Sequence, residues 1–524
     1  MKIHLVNPVF PDTFWGFRHV REYGYRYAMG NLALPTVAAL TPREHEVTIR
    51  DENVEPIDFG VDADLVGITG FNIQAARMFE IAAEFRRRGR TVVMGGPYAS
   101  LCPEDCATHA DHLVVGEAER IWSEFLRDFA AGRAQTKYVE AEKVDLSLSP
   151  IPRWDLIDFK HYGRIPLQTT RGCPFDCEFC DVIVYLGRKV RQKSPDRIAA
   201  ELEAVYPHVH AAGRDSIFFA DDNFIGNKSH ARNVCRRLIE LNRGFPRPLR
   251  FSTQVTINLA QDKELLELMA EAGFHSVFIG IETPKTENLL EVHKVQNTRR
   301  DLIADIKTIQ SYGIFVWAGM IVGFDHDGPE AFQEQLDFIN ESDIPISMTG
   351  MLNAPANTLL WHRLRKEGRL LEGYQYQDQA DTNIVPKLLG KEELRRGYVR
   401  LMNELYSYEN YGKRLCGTLA TIRRPPTKRR KKFSAQHTAY NLQRLWTLLR
   451  YYLLTGSGER RRYFFRVLRQ IVKTNPAYLK EALWHLALHK HFYGYSRILA
   501  DRLDLDPNHA RWATQEGSAR AEGA

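Results

Sequence analysis

Apolar and polar positions in the first 135 residues follow two alternating periods. Short apolar runs at 3–6, 47–49, 65–69, 91–94 and 112–115 suit buried strands. Between them, residues 34–40, 74–88 and 119–131 repeat apolar positions every three or four residues, as helices do. Strands alternating with helices predict a parallel, doubly wound α/β sheet of Rossmann-like layout over 1–135. Such a sheet takes ligands beyond the carboxyl ends of its strands. The loops at those ends carry Asn7-Pro8, Thr69-Gly70-Phe71, Gly95-Gly96 and Gly116-Glu117. Adjacent glycines let a ligand approach the backbone closely. The first loop is long and dense in rings: Phe10, Phe14, Trp15, Phe17, Tyr23, Tyr25 and Tyr27. Loops of that length usually serve a function. This one suits either a lid over a large flat ligand or an interface between domains.

Residues 136–164 are rich in turn formers and read as a linker. The alternation resumes over 165–352, with strands expected at 167–170, 216–219, 249–254, 276–281, 315–322 and 346–351. Helical patterns at 195–205, 229–241 and 263–272 fall between them. Residues 353–508 read as helical, with amphipathic stretches at 363–371, 391–405, 442–454, 463–472 and 479–489. The polar segment 509–524 reads as a disordered tail.

At 524 residues and 44% hydrophobic content, the chain is long enough for several cores. No apolar run reaches the 18 residues that a membrane span needs. Met1-Lys2-Ile3-His4 starts a strand, not a signal peptide. Seven cysteines, three of them tightly grouped, argue for a reducing, cytoplasmic setting. The net charge of +6 is concentrated near the C-terminus, where residues 423–432 hold seven basic side chains. The helices that follow mix basic residues with Trp446, Tyr451, Tyr452, Phe464, Phe465, Tyr478 and Trp484. That pattern fits a helical bundle with a solvated basic face, or peripheral contact with the inner membrane surface. Nucleic acid is the weaker reading.

The chemistry centres on Thr170-Arg171-Gly172-Cys173-Pro174-Phe175-Asp176-Cys177-Glu178-Phe179-Cys180. Three thiolates on one short loop can hold three irons of a [4Fe–4S] cube, leaving the fourth iron open for a small molecule. The alternatives are a three-legged zinc site or cysteines that only pack. Structural zinc sites take four ligands, and no second cysteine pair lies nearby. Cys102 and Cys106 read as incidental thiols.

This stretch resembles the signature of the radical S-adenosylmethionine (SAM) superfamily. The resemblance implies that residues 165–352 form a partial (β/α)6 barrel of TIM type, with its chemistry at the carboxyl ends of the strands. SAM then binds the open iron and is cleaved reductively to a 5′-deoxyadenosyl radical. Cys173, Cys177 and Cys180 hold the cluster, and Phe179 packs near adenine. Asp222 stands where relatives carry a Gly-Gly-Glu element that meets the SAM amino group; alternatively, Asp221 and Asp222 both cap the next turn. Gln254 faces SAM or substrate, and Glu282 holds the ribose or amino group. Gly319 and Gly323 match a G-x-I-x-G element whose backbone contacts adenine. His326 stands where that element usually has Glu, so Asp325 or Asp327 is expected to substitute.

The N-terminal loops resemble the cobalamin-binding domain found ahead of many radical SAM cores. Asn7, Thr69, Gly70, Phe71, Gly95, Gly96 and Glu117 are its expected contacts. The Asp-x-His-x-x-Gly motif, which supplies a lower cobalt ligand in some relatives, is absent. Asn383-Ile-Val-Pro386-Lys387 resembles the C-terminal domain of hopanoid methylases. The implied activity is methylation of an unactivated carbon in a small molecule, such as a polycyclic lipid or tetrapyrrole. A reductase, flavodoxin or ferredoxin would supply electrons. The alternatives are a cobalamin-dependent radical cyclisation or rearrangement and, in another class, a non-catalytic cobalamin and Fe–S sensor.

Overall fold

The computed structural model describes residues 1–11, 13, 14, 16, 18–371, 378–423 and 435–502. Trp15 and Phe17 of the aromatic segment, residues 424–432 of the basic run and the tail 509–524 lie outside them. Seven strands fall in the first 140 residues: β1 (Lys2–Asn7), β2 (Tyr27–Met29), β3 (Glu46–Asp51), β4 (Leu65–Thr69), β5 (Thr91–Gly95), β6 (His112–Val115) and β7 (Lys137–Val139). Six of them form one parallel sheet ordered β3-β1-β4-β5-β6-β7. Side chains alternate between its faces. Leu5 and Val93 pack with Trp122 and Phe125 on one side. Val6, Ile68, Val92 and Met94 pack with Met78, Ile81 and Phe85 on the other. Helices bury both faces, as a doubly wound sheet requires. The order reverses between β1 and β4, which places the expected ligand crevice there.

β7 lies inside the segment expected to be only a linker. Its single large apolar residue, Tyr138, packs edge-on against Phe125 at 5.4 Å. Three residues with one buried ring carry too little periodicity to stand out in a sequence.

The second sheet comprises β8 (Tyr162–Leu167), β11 (Ser216–Phe219), β12 (Arg250–Val255), β13 (Phe274–Glu282), β14 (Phe315–Val322) and β15 (Ile346–Met351). Between β8 and β11, two-residue strands β9 (Thr170–Arg171) and β10 (Arg191–Gln192) pair antiparallel. The main order is β15-β14-β13-β12-β11-β8-β2, parallel throughout. β2 is therefore a seventh strand added to the six expected, supplied by the aromatic N-terminal segment. β8 also ends at Leu167 instead of starting there. Asp221 takes the Thr169 N–H at 2.6 Å and its hydroxyl, which turns the chain out of the sheet.

Along these strands one set of alternate residues packs under helices, including Ile165, Leu167, Ile217, Phe219 and Phe251. The other set, with Arg164, Pro166, Phe218, Ala220, Arg250 and Trp317, faces an open interior. The curved sheet thus encloses a cavity, not a packed core.

C-terminal helices Lys391–Leu405, Tyr408–Thr421, Gly458–Thr474 and Leu479–Asp501 continue the second sheet's core. The Arg414 side chain is fully buried and donates to Ile344 O, Asn340 Oδ1 and Leu405 O. Of the seven rings expected on the basic helices, Tyr452, Phe464 and Tyr478 are buried in the bundle core together with Tyr463; Tyr451 and Trp484 are half-buried against it, and Trp446 and Phe465 are exposed. No described helix is long and apolar enough to cross a membrane. The N-terminal aromatic segment docks on this bundle. Phe14 stacks on Phe492 at 4.7 Å, and Arg444 donates to Tyr25 Oη at 2.7 Å. The segment thus forms an interface, and Phe10, Tyr25 and Tyr27 also line the cavity.

Candidate active site

Cys173, Cys177 and Cys180 occupy the loop that β9 and β10 close at its base. Gly172 opens it with φ +88°, and a Cβ there would lie 2.6 Å from Lys189 O, so only glycine fits. The loop is tied from several sides. Asp222 Oδ2 accepts the Gly172 N–H at 2.7 Å, and Glu178 N–H donates to Val292 O at 3.0 Å. All three cysteines are free thiols, and burial raises the pKa of Cys173 and Cys180. Among the described residues, no three His, Cys, Asp or Glu side chains gather as one metal ion would need. A cubane makes a different demand, one thiolate for each of three irons, and three sulfurs on one constrained loop suit it. Phe179 packs in the apolar group of Val292, Phe324, Leu352 and Leu360.

The carboxyl ends of the neighbouring strands surround this loop. Asp221 is fully buried as the Thr169 cap, whereas Asp222 also lines the cavity, its carboxyl pushed up to about 6 by burial. Gln254 lies in the cavity wall at the end of β12. Glu282 ends β13 at a register shift with φ +69°. Its carboxylate receives Lys294 Nζ at 2.8 Å. Burial opposes the charge on Lys294, but Glu282 and the nearby Cys177 hold its pKa above the usual value.

In the glycine element of β14, a Cβ on Gly319 would press the Phe278 ring at 3.0 Å. Gly323 turns at φ +98°, and Asp327 closes that turn by accepting the Gly323 and Phe324 N–H groups at 2.8 and 3.1 Å. Asp325 instead pairs with Arg363 and Arg369. Of the two candidate aspartates, Asp327 is the one in contact with the glycine turn.

A cavity of about 1540 Å³ joins the two sheets. Its wall brings Asn7, Thr69, Gly70, Phe71, Gly95, Gly96 and Glu117 together with Asp222 and Gln254. The cysteines, Phe179, Glu282, Gly319 and Gly323 are not part of that wall. At the first sheet the glycines are sterically required. A Cβ on Gly70 would lie 2.7 Å from Met78 Sδ, and one on Gly96, at φ +85°, would collide with Thr69. Gly70, Gly95 and Gly96 all stand in the cavity wall and offer it backbone without a side chain. Asn7 is buried and already bonded to Asp51 and Gln74, while Phe71 stands at the rim, half exposed. An apolar arm lined by Leu5, Val37, Leu40, Val93 and Trp122 runs into this sheet. No described residue in that arm is a histidine. Bare glycine backbone above an apolar shaft suits a large ring with a long substituent.

Glu117 does more than line the wall. It pairs with Arg171 at 2.7 Å and Arg191 at 2.5 Å, and Arg171 also reaches Glu119 at 2.8 Å. The acidic run after β6 thus fastens the first sheet to the ladder that closes the cysteine loop. The sequence reading missed Arg171, Arg191 and Lys294 as site residues. Glu117 and Arg171 are 54 positions apart, and Glu282 and Lys294 are 12 apart. Neither spacing is a local pairing pattern.

Residues 167–339 match the radical SAM superfamily, and residues 358–504 match a domain of unknown function. An uncharacterised methyltransferase of Synechocystis sp. is 34% identical over 96% of this chain and 93% of its own length. The hopanoid C-2 methylase of Rhodopseudomonas palustris is 34% identical over 73% of each chain. The solved structure of the cobalamin-dependent SAM radical enzyme OxsB, with aqua-cobalamin and SAM, superposes with TM-score 0.60 at 16% identity. That match spans 97% of this chain and 82% of the other, and it shows a shared fold.

Proposed function

The chain belongs to the B12-dependent radical SAM methylase family, and we propose that it methylates an unactivated carbon of a polycyclic small molecule held between its two sheets. The carrying observation is the continuous cavity. It runs from the bare glycine turns of the first sheet to Asp222 and Gln254 beside the cysteine loop.

In this reading, residues 1–135 hold cobalamin, 165–352 the cluster and SAM, and 353–508 close the substrate space. Cys173, Cys177 and Cys180 bind iron. Asn7, Thr69, Gly70, Phe71, Gly95, Gly96 and Glu117 border the corrinoid. Phe179, Asp222, Gln254, Glu282, Gly319 and Gly323 border SAM. When bound, the cluster with SAM supplies hydrogen abstraction, and cobalamin supplies the methyl group. The protein's own part is positioning and exclusion of water. Asp222 holds the entry to the cysteine loop, and the Glu282–Lys294 pair fixes charge behind it. The apolar wall and the relative named for a hopanoid support a polycyclic lipid substrate. A reductase, flavodoxin or ferredoxin is the expected electron donor.

Leu442, Leu445, Trp446, Leu454 and Phe465 are exposed on the C-terminal helices. They support peripheral contact with an anionic membrane. Equal liposome binding before and after deletion of residues 423–508 would exclude that role.

The deciding experiment is anaerobic. Protein reconstituted with iron, sulfide and cobalamin receives SAM and a strong reductant, and the products are read by mass spectrometry. A methylase yields 5′-deoxyadenosine together with S-adenosylhomocysteine, and Cys173→Ala and Cys177→Ala make no 5′-deoxyadenosine. 5′-Deoxyadenosine alone would indicate rearrangement chemistry. A four-iron protein that never cleaves SAM, even with candidate substrates, would overturn the enzyme reading.

A further inference from the structure

The cavity continues past the cluster face to the amino ends of the barrel strands. There the inward positions become cationic. Ser216 of β11 pairs with Arg250 of β12, and Ile217 pairs with Ile165, which sets Arg164 of β8 beside Ser216. Arg164 and Arg250 therefore flank one strand at one level, both in the cavity wall. The Arg164 guanidinium lies over the Trp317 ring at 4.8 Å. Among the described residues no carboxylate comes within ion-pair reach of it. The nearest acid to Arg250 is Glu481, at 3.6 Å. Asp215, also in the wall, pairs with Arg247 at 2.9 Å. Burial, and then Arg250, lower the Arg164 pKa to about 10.

Helix Leu479–Asp501 closes this floor with Lys480, Glu481, Trp484 and His485. His485 is 4% exposed. Its Nδ1–H donates to Glu481 O at 2.9 Å, so Nε2 is left as a buried acceptor with no partner among the described residues. The Arg164 guanidinium, in the cavity wall over one indole ring and with no carboxylate in reach among the described residues, is open to an anionic ligand. From Arg250 to Gln254 the strand rises four residues, about 13 Å. A ligand touching both ends would be long, with an apolar middle against Phe218, Trp317 and Met348.

We propose that the barrel floor binds an anionic head group, a carboxylate or a phosphate, of the methyl acceptor. Arg164 and Arg250 take its oxygens, and His485 Nε2 accepts from a hydroxyl or acid proton on the same group. The proposal rests on the methylase reading for the identity of the ligand as substrate.

The test uses protein loaded with cluster and cobalamin and three ten-carbon probes: decanoate, decyl phosphate and decanol. Binding is followed by tryptophan fluorescence, since Trp317 and Trp484 line the site. Both anions should bind at least about tenfold tighter than the alcohol. Arg164→Gln and Arg250→Gln should each weaken the anions about 10- to 100-fold and leave decanol unchanged. Arg164→Lys, which keeps the charge, should keep part of the preference. The exposed Arg236→Gln is the control for long-range charge. The ratio of decanoate to decyl phosphate affinity identifies the head group. Equal binding of anions and alcohol by wild type, or unchanged anion affinity in both glutamine variants, overturns the proposal. 5′-Deoxyadenosine formation is measured in parallel. Anion selectivity in a protein that never cleaves SAM would sink the methylase reading and leave the floor site standing. SAM cleavage without anion selectivity would do the reverse.

Discussion

Replacing Lys294 by Met would leave the Glu282 carboxylate buried without its counter-charge. The two groups lie 2.8 Å apart, with side chains 10% and 8% exposed. At an effective dielectric constant of about 20, that separation corresponds to about 6 kcal/mol of attraction. Desolvation of both ions offsets much of it when the pair forms, but removing one partner strands the other. Broken buried pairs cost about 3–5 kcal/mol, and Lys294→Met should fall in that range. Glu282→Gln should cost less, because its amide oxygen still accepts from the ammonium. The double variant removes both charges and should be at least about 2 kcal/mol milder than the sum of the single changes. The backbone adds a second signature. Glu282 sits at φ +69°, where a non-glycine residue carries about 1–2 kcal/mol of strain. Glu282→Gly should therefore be milder than Glu282→Ala, although both delete the carboxylate. Urea unfolding of anaerobically reconstituted protein, followed by tryptophan fluorescence, gives the midpoint shift at constant slope. Strictly additive single changes, or a cost below about 1 kcal/mol for Lys294→Met, would refute the pairing and the charge arrangement behind the cysteine loop.

Gly96→Ala should weaken cobalamin binding at least about tenfold, since its φ is +85° and a Cβ would collide with Thr69. Gly132→Ala is the matched control: its φ is +67° with nothing within 4 Å, so it should cost about 1 kcal/mol of stability and leave cobalamin binding intact. Glu117→Ala leaves Arg171 and Arg191 short of their shared partner; cobalamin and iron retained after gel filtration should both fall, and loss of neither would disprove the latch. Three buried histidines should each make the fold sensitive to acid, against the opposite contribution of the buried Asp221 and Asp222, whose carboxyls burial raises to about 6. Burial lowers His4 and His485 to about 4 and His489 to about 3. All three stay neutral in the folded chain while unfolded histidines take up protons below about 6.5. The unfolded state then binds more protons, so stability falls as pH drops from about 6.5 toward 4, by about 2 kcal/mol for each histidine at pH 5. His489→Gln should remove its own share, about 2 kcal/mol of loss between pH 7 and pH 5, read as the difference between variant and wild type in urea midpoint at the two pH values.

Both parallel sheets were legible because short strand-like runs with buried apolar residues are separated by amphipathic helices. The cysteine loop was legible because its chemistry is local: three thiols within eight positions of each other. What escaped reading depends on distance along the chain. β2 has half-buried residues and belongs to the second sheet, more than 130 positions from its partner β8. Nothing local marks such a strand. The same holds for charges. Glu117 read as a ligand contact because it ends a strand beside glycines, yet its carboxylate is committed to Arg171 and Arg191. The acidic residues after β14 were narrowed only by geometry, since Asp325 and Asp327 are two residues apart and make unrelated contacts. The C-terminal helices were ambiguous for another reason. Their rings lie at helical spacing next to basic residues, a pattern shared by a membrane-facing helix and a buried aromatic bundle. Neighbouring helices bury Tyr452, Tyr463 and Phe464 and leave Trp446 and Phe465 exposed, a division that spacing alone does not give.

The cysteine loop is held from three parts of the chain at once. Asp222, from the second sheet, holds Gly172 at its entrance. Glu117, from the first sheet, holds the β9–β10 ladder at its base through Arg171 and Arg191. Arg363, from the C-terminal region, grips Glu178 inside the loop with two hydrogen bonds of 2.7 and 3.0 Å. Bidentate arginine–carboxylate contacts are among the stronger and more directional ones available. The loop proposed to carry the iron ligands is thus not a property of the barrel alone. It follows that occupancy of the N-terminal cavity and of the cysteine loop should be coupled through Glu117. Cobalamin that settles the turn after β6 also settles the two arginines that close the loop. Reconstitution should therefore give more iron per chain with cobalamin present than without it, and Glu117→Gln should abolish the difference. Equal iron loading with and without cobalamin in wild type would mean that the latch joins the sheets without linking their sites.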